Sequence, residues 1–270
     1  GDLDFGAGRS VPLHALLVDQ QAALFGQACF APGEMKCTFG TGSFLLMNIG
    51  SEMRLSTQGL LTTVAWQFGD QAAYALDGGI FVTGSAVQWL AESLKLIPDP
   101  AASAAAAARS TDQDVVFVPA LQGLAAPHWN ADARGALFGL SRGTGPDDLV
   151  RATLDGIACR VYEVVQAMAQ DAGRAPTTLK VDGGPAANPY LMQMIADLLN
   201  LDVRVAAARE ATAMGVAQLA AHSALGLSLA DLATRWEAEA VYRPQMAEPD
   251  RRRRLERWNR ALAALRRFHE

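Results

Sequence analysis

The 270-residue sequence predicts an α/β fold, a mixed sheet flanked by helices. Half of the residues are hydrophobic, enough for a substantial core in one large domain or two smaller lobes. Short β-prone runs crowd the first part of the chain, and in the second part apolar strands alternate with helical patterns, an order that builds a sheet covered by helices.

Residues 1–15 are Gly-rich and weakly patterned. The run HALLVD then reads as a short buried strand, and DQQAALFGQ as a helix carrying the strong helix formers Ala22, Ala23 and Leu24 and ending by Gly33. Asp19 falls at the junction, where it is predicted to cap the helix with its carboxylate. KCTFGTGSFLLMNIG reads as two strands around a glycine turn, and GLLTTVAWQF and QAAYALDGG as further strands of a meander. GSAVQWLAESLKLI places Val87, Leu90, Leu94 and Ile97 on one helical face, and the Ala-rich DPAASAAAAARS reads as a short exposed helix, because alanine favours helix over disorder. DVVFVPAL is a buried-strand candidate and DDLVRATLDGIACRVYEVVQAMAQDA a long helix. TTLKVDGG and LDVRVA then read as strands feeding the helices NPYLMQMIADLL and AMGVAQLAAHSAL, with DLATRWE as a short helical segment. The C-terminal EPDRRRRLERWNRALAALRRFHE sets Leu255, Trp258, Leu262 and Leu265 at helical spacing, so its arginines are expected on the solvated face of a packed terminal helix.

Charge and composition exclude several functions. Against 23 basic residues stand 28 acidic ones, a net charge of -5, so no global positive field favours nucleic acid. Cys29, Cys37 and Cys159 form no CxxC pair and are expected as reduced core residues. The four histidines are scattered without ligand spacing, so no protein-held metal site is expected. No apolar segment is long enough to span a membrane, and the chain does not open on a signal-peptide pattern. Small-molecule chemistry in the cytoplasm is the expectation.

Two glycine-rich stretches point to anions. In FGTGS, glycines around Thr41 allow backbone N–H groups and a hydroxyl to approach a phosphate, although the same spacing suits a plain hairpin. In KVDGGPAANPYLMQMI a strand ends in paired glycines before a helix with Asn188 at its cap and Pro189 at its first position. Such a junction turns a positive helix terminus toward one place while also serving as an ordinary connection. DFG at Asp4–Gly6 lacks the companion loops of protein kinases and is set aside.

Beyond these local readings, the segment GALFGLSRGTGPDDLVRATLD resembles the signature of the FGGY family of carbohydrate kinases. Gly135, Leu137, Gly139 and Leu140 precede Asp148, Leu149, Ala152 and Asp155 at the family's separations. DQQAALFGQ, FGTGSFLLMN, GLLTT, GSAVQWL and VDGGPAAN follow in the order found in the glycerol-phosphorylating members, so the resemblance covers nearly the whole chain. It implies the C-terminal half of an actin-like, ribonuclease H-like ATPase with ATP, Mg2+ and a small polyol in an interdomain cleft.

By that resemblance, Asp19 is the catalytic base on the acceptor hydroxyl, and Gln20 and Phe44 contact glycerol or a related polyol. Thr41 contacts phosphate, and Gly84, Gln88, Gly184 and Asn188 surround the nucleotide. The implied division is 1–18 as a hinge or the end of an N-terminal domain, 19–249 as the C-terminal nucleotide-binding domain and 250–270 as a packed terminal helix. A DxGTT-like segment, which the family carries in its N-terminal half, is absent from this sequence, so the chain on its own is expected to be inactive. Relatives of this kind often form homo-oligomers. Two other readings stay open: a kinase for another polyol or a ketose, and a noncatalytic nucleotide-binding module.

Overall fold

A computed structural model describes residues 1–269. The chain opens with a small hairpin of β1 (Asp2–Asp4) and β2 (Ser10–Pro12), paired only with each other. There follow α1 (Asp19–Gly26), β3 (Glu34–Phe39), β4 (Ser43–Gly50), β5 (Leu61–Phe68) and β6 (Gln71–Ile80). The helices α2 (Gly84–Glu92) and α3 (Ser103–Arg109) precede β7 (Val116–Val118), β8 (Ala136–Phe138) and the long α4 (Pro146–Ala172). Then β9 (Thr178–Gly183), α5 (Pro189–Leu199), β10 (Val203–Ala206), α6 (Ala211–Leu225), α7 (Leu229–Ala233), β11 (Ala238–Tyr242) and α8 (Glu248–Phe268) complete the chain.

The main sheet is mixed and seven-stranded, in the order β11-β10-β9-β3-β4-β6-β5. Strands β10, β9 and β3 run parallel, and antiparallel partners flank them on both sides. The strand pleat sends alternate residues to opposite faces. Met35, Cys37, Phe39, Leu45, Met47, Leu76, Leu179 and Val181 join one large core with residues of α2, α3, α4, α5 and α8. Leu46, Ala65, Trp66 and Ala75 turn the other way and pack with Leu24 and Phe25 of α1, Leu219 of α6 and Leu232 of α7.

Local chemistry explains the helix ends. Asn188 caps α5, its Oδ1 accepting from the Leu191 N–H at 3.0 Å, and Pro189 takes the first helical position, as the sequence predicts. Gly145 precedes α4, where its N–H donates to Asp148 Oδ2 at 2.8 Å, and Gly173 ends the helix with φ of 61°. Helices α1 and α6 cross in near backbone contact. A Cβ on Gly26 would stand 2.0 Å from the Ala211 carbonyl oxygen, and one on Gly215 would stand 1.8 Å from that of Ala22.

Several sequence expectations change. Asp19 is the first residue of α1 rather than its cap; Val18 holds the cap position without a side-chain bond. HALLVD is not a buried strand: no neighbouring strand pairs with it, and Leu16 and Val18 are exposed while Ala15 and Leu17 pack on the α1-side cluster. Helix α1 ends at Gly26, well before Gly33. The meander is interrupted, because β6 lies between β4 and β5. Helix α2 stops at Glu92, short of Leu94 and Ile97. The Ala-rich helix α3 is exposed on one side only, with Ser103, Ala106 and Ala107 buried. DVVFVPAL forms β7 in a separate two-stranded sheet with β8.

Helix α8 buries Leu255, Trp258, Leu262 and Leu265, each buried leucine contributing about 1.5–3 kcal/mol. Its arginine run is only partly solvated. Arg254 Nη1 reaches Asp155 Oδ2 at 2.9 Å, Arg257 Nη1 reaches Asp114 Oδ1 at 2.5 Å, and Arg251 donates to the Leu198 carbonyl at 3.2 Å. The long side chains snorkel along the helix to polar groups of its neighbours.

Candidate functional site

Cross-strand register assembles a polar patch on the α1 side of the sheet. Lys36 pairs with Lys180 on β9 and with Leu46 on β4, which in turn faces Asp77 on β6. The next row holds Asp182, Thr38, Phe44 and Gly79. Residues directly opposite one another share a face, so these rows meet the first turn of α1 at one end and its C-terminus at the other.

At the first end, the Gln20 N–H donates to Asp19 Oδ1 at 2.8 Å, and its Nε2 donates to Asp19 Oδ2 at 3.3 Å. Lys36 Nζ donates to Gln20 Oε1, to Thr38 Oγ1 at 3.1 Å and to the Phe44 carbonyl at 3.2 Å. Asp19 is exposed, and Phe44 is 46% exposed, with its ring beside Gly79. Lys36 is fully buried, and burial lowers its pKa although Cys37, Asp182 and Asp77 favour its charge. Burial raises the Asp77 carboxyl, with Lys36 opposing the rise and Asp19 adding to it.

At the other end, Asp182 Oδ2 accepts from Gln27 Nε2 at 3.0 Å. Lys180 donates to the carbonyls of Gln27 and Ala28 at 2.8 and 2.9 Å and lies over the Trp236 ring at 4.7 Å. These bonds tie the helix to the sheet.

A cavity of about 480 Å³ opens at the turn between β3 and β4, and Thr41, Gly84, Gln88, Gly184 and Asn188 all line it. The glycine turn is clasped to the start of α2: the Gly84 N–H donates to the Gly40 carbonyl at 3.1 Å, and the Ser85 N–H and hydroxyl reach the Thr41 carbonyl at 3.1 and 3.0 Å. The backbone therefore comes too close for a side chain at Gly84, where a Cβ would stand 2.4 Å from the Gly40 oxygen. Both sequence readings of FGTGS are compatible with this: it is a hairpin turn, and it lines a cavity. Asn188 serves the cavity wall with an amide already anchored, its Nδ2 donating to Ser103 Oγ at 3.0 Å.

Thus Thr41, Gly84, Gln88, Gly184 and Asn188 meet in one cavity, and Asp19, Gln20 and Phe44 meet in one hydrogen-bonded cluster through Lys36. The hairpin of β3 and β4 is common to both. Reading motifs missed Lys36, Thr38, Asp77 and Asp182; the signal available was polar residues at alternate positions of β3 and β9, whereas Asp77 is a lone charge in β6. A larger cavity of about 710 Å³ lies away from this site between α4, α5 and α8, where Arg151, Arg254 and Arg257 are already paired with aspartates. Among the described residues no group of three His, Cys, Asp or Glu side chains is placed to hold a metal ion, and no helix is long and apolar enough to cross a membrane. The three cysteines are buried and form no disulfide, and burial pushes the Cys29 thiol up to about 12.

Comparison with known proteins places the chain. Residues 35–224 match the model described as the FGGY family of carbohydrate kinases, C-terminal domain. A glycerol kinase of Myxococcus xanthus is 46% identical over 259 residues, covering 93% of this chain and 52% of that protein. The solved glycerol kinase of Plasmodium falciparum with ADP superposes with a TM-score of 0.86 at 38% identity, over 92% of this chain and 50% of that one. A xylulose kinase from Rhodospirillum rubrum superposes with a TM-score of 0.81 at 25% identity, over 94% of this chain and 51% of that one. The chain spans about half the length of the curated relatives it matches.

Proposed function

The chain belongs to the FGGY family of carbohydrate kinases, and from that premise we propose that it is the C-terminal part of a kinase that phosphorylates glycerol to glycerol 3-phosphate with ATP. The observation that carries the reading is the shared hairpin, with the Asp19–Gln20–Lys36–Phe44 cluster on one side of its turn and the Thr41 cavity on the other. Residues 1–18 are read as the approach from an N-terminal domain, 19–249 as the nucleotide-binding domain and 250–270 as its closing helix.

In this reading Asp19 accepts the proton of an acceptor hydroxyl while the hydroxyl's oxygen forms a bond to the γ-phosphorus and the bond from that phosphorus to the β-phosphate oxygen breaks, releasing ADP. Phosphoryl transfer relies on alignment and charge stabilisation more than on strong basicity, so an exposed carboxylate at a helix start is adequate. Gln20 supplies an N–H to a hydroxyl oxygen, and Phe44 supplies a flat apolar surface to the carbon backbone. Thr41 contacts phosphate, and Gly84, Gln88, Gly184 and Asn188 form the nucleotide wall, where absent side chains permit close approach.

Magnesium is proposed as a companion of the nucleotide, held through phosphates and waters, because the Thr41 cavity is lined by no carboxylate and Thr41 and Ser103 offer it only hydroxyls. When bound it neutralises charge on the transferring group. The cytoplasm, where ATP is abundant, is the proposed compartment, and the missing half of the kinase is the proposed partner.

The test is ATP consumption by the full-length parent with glycerol beside a panel of polyols and ketoses. Asp19→Asn is expected to lower kcat by about 10²–10⁴-fold without lowering the melting temperature. Turnover of a ketose in place of glycerol would overturn the substrate, and an active Asp19→Asn enzyme would overturn the base. Single-turnover assays on residues 1–270 alone are expected to show no transfer.

A further inference from the structure

We propose that Lys36 is a positioning residue, fixing which end of the Gln20 amide faces the acceptor alcohol; the inference rests on the kinase reading above. Lys36 lies on β3 beneath the first turn of α1, fully buried, with its Nζ donating to Gln20 Oε1, Thr38 Oγ1 and the Phe44 carbonyl. An ammonium has three protons and no acceptor. Three partners use all of them, so Lys36 has none left for a ligand and acts through the groups that it holds.

The atom of the Gln20 amide that meets an ammonium must be oxygen, since the amide nitrogen carries only donors. Its nitrogen then points the other way, and it stands 3.3 Å from Asp19 Oδ2, an acceptor. Two neighbours of opposite character therefore impose the same orientation. One Nε2 proton serves Asp19, and the second is left to donate to an alcohol oxygen whose own proton faces the Asp19 carboxylate. An alcohol seated there is polarised at its oxygen and relieved of its proton by adjacent side chains of one helix turn. Without Lys36 the orientation rests on the 3.3 Å bond to Asp19 alone, and an amide that turns over sets its oxygen against the lone pairs of the acceptor oxygen.

Lys36 also links this cluster to the sheet. Its bond to the Phe44 carbonyl fixes the backbone from which the aromatic surface projects, so Gln20 and Phe44 are set by one buried group. Nothing in this chain of bonds touches the lining of the Thr41 cavity, so the effect belongs to the acceptor.

The experiment is steady-state kinetics of the full-length kinase, measuring KM and kcat for glycerol and for ATP in wild type, Lys36→Met, Gln20→Met and the double variant, with melting temperatures. Lys36→Met is expected to raise the glycerol KM by about tenfold, the size of one lost oriented hydrogen bond, and to leave the ATP KM within about twofold. The double variant should be no worse than Gln20→Met, because both changes remove the same contact. Additive losses, or an ATP KM that rises with the glycerol KM, would overturn the proposal. Should Lys36→Met fail to fold, Gln20→Glu decides: it leaves Lys36 an acceptor but removes the N–H, and an unchanged glycerol KM in that variant sinks the idea. A wild-type enzyme that turns over no polyol or ketose overturns the kinase reading instead, and this inference with it.

Discussion

Asp77 carries a carboxylate where burial disfavours its charge, with Asp19 adding repulsion and Lys36 only partly compensating. Its folded-state pKa is raised above the ordinary 3.8, so the folded chain holds this proton more tightly than the unfolded chain. The stability that follows is fully present below 3.8 and is lost as pH rises through the higher folded value. Asp77→Asn is therefore expected to gain stability relative to wild type as pH is raised from about 4 to 7 in urea titrations. A difference that stays flat across that window would show that Asp77 titrates normally. The same residue illustrates what can be read from sequence. Asp19, Gln20 and Phe44 sit in long motifs that match a family, whereas Lys36 and Asp77 are charges on two strands that are not neighbours in the chain. Only the pairing of β3, β4 and β6 reveals that they share a face.

Elements carry these residues to their places. Helix α1 has only eight residues, too short to be stable alone, and its position is set by contact with α6. Gly215→Ala would drive a methyl group into the Ala22 carbonyl and push the two helices apart. The expected cost is about 1–3 kcal/mol in denaturant unfolding, with a fall in kcat of the full-length kinase because Asp19 moves with the helix. Unfolding that matches wild type would mean that the crossing relaxes freely. At the opposite end of the site, Asn188→Ala removes the cap of α5 and the bond to Ser103 together. It is expected to cost about 1 kcal/mol of stability and to raise the KM for ATP while leaving that for glycerol. Pro189 and Asn188 were legible because capping is local chemistry. The glycine crossing was not, since Gly26 and Gly215 are far apart in sequence and nothing local says that they meet.

Across the whole molecule, the sheet separates two tasks. The acceptor cluster hangs on the face covered by α1 and α6, and the Thr41 cavity is walled by α2, α3 and the start of α5, which pack on the other core. Residues without a shared partner on distinct packing layers should act independently. In a double-mutant cycle of the full-length kinase, Phe44→Leu and Gln88→Ala are expected to change the KM for glycerol and for ATP respectively, and their effects on kcat/KM to add within about 0.5 kcal/mol. A larger coupling would place both side chains in one network. The α/β class and mixed sheet were readable from the order of strand and helix patterns. The strand order was not, because the insertion of β6 between β4 and β5 depends on non-local pairing.

The glycine turn joining β3 to β4 is where the two layers come together. Its carbonyls are held by the start of α2, while the strands on either side carry Lys36, Thr38 and Phe44. Under the proposed reading, the protein can therefore change its diet without relearning its fuel. In the proposed kinase, substitutions at positions 20 and 44 would remodel the surface offered to the alcohol, while the turn offered to ATP would keep its backbone clasp.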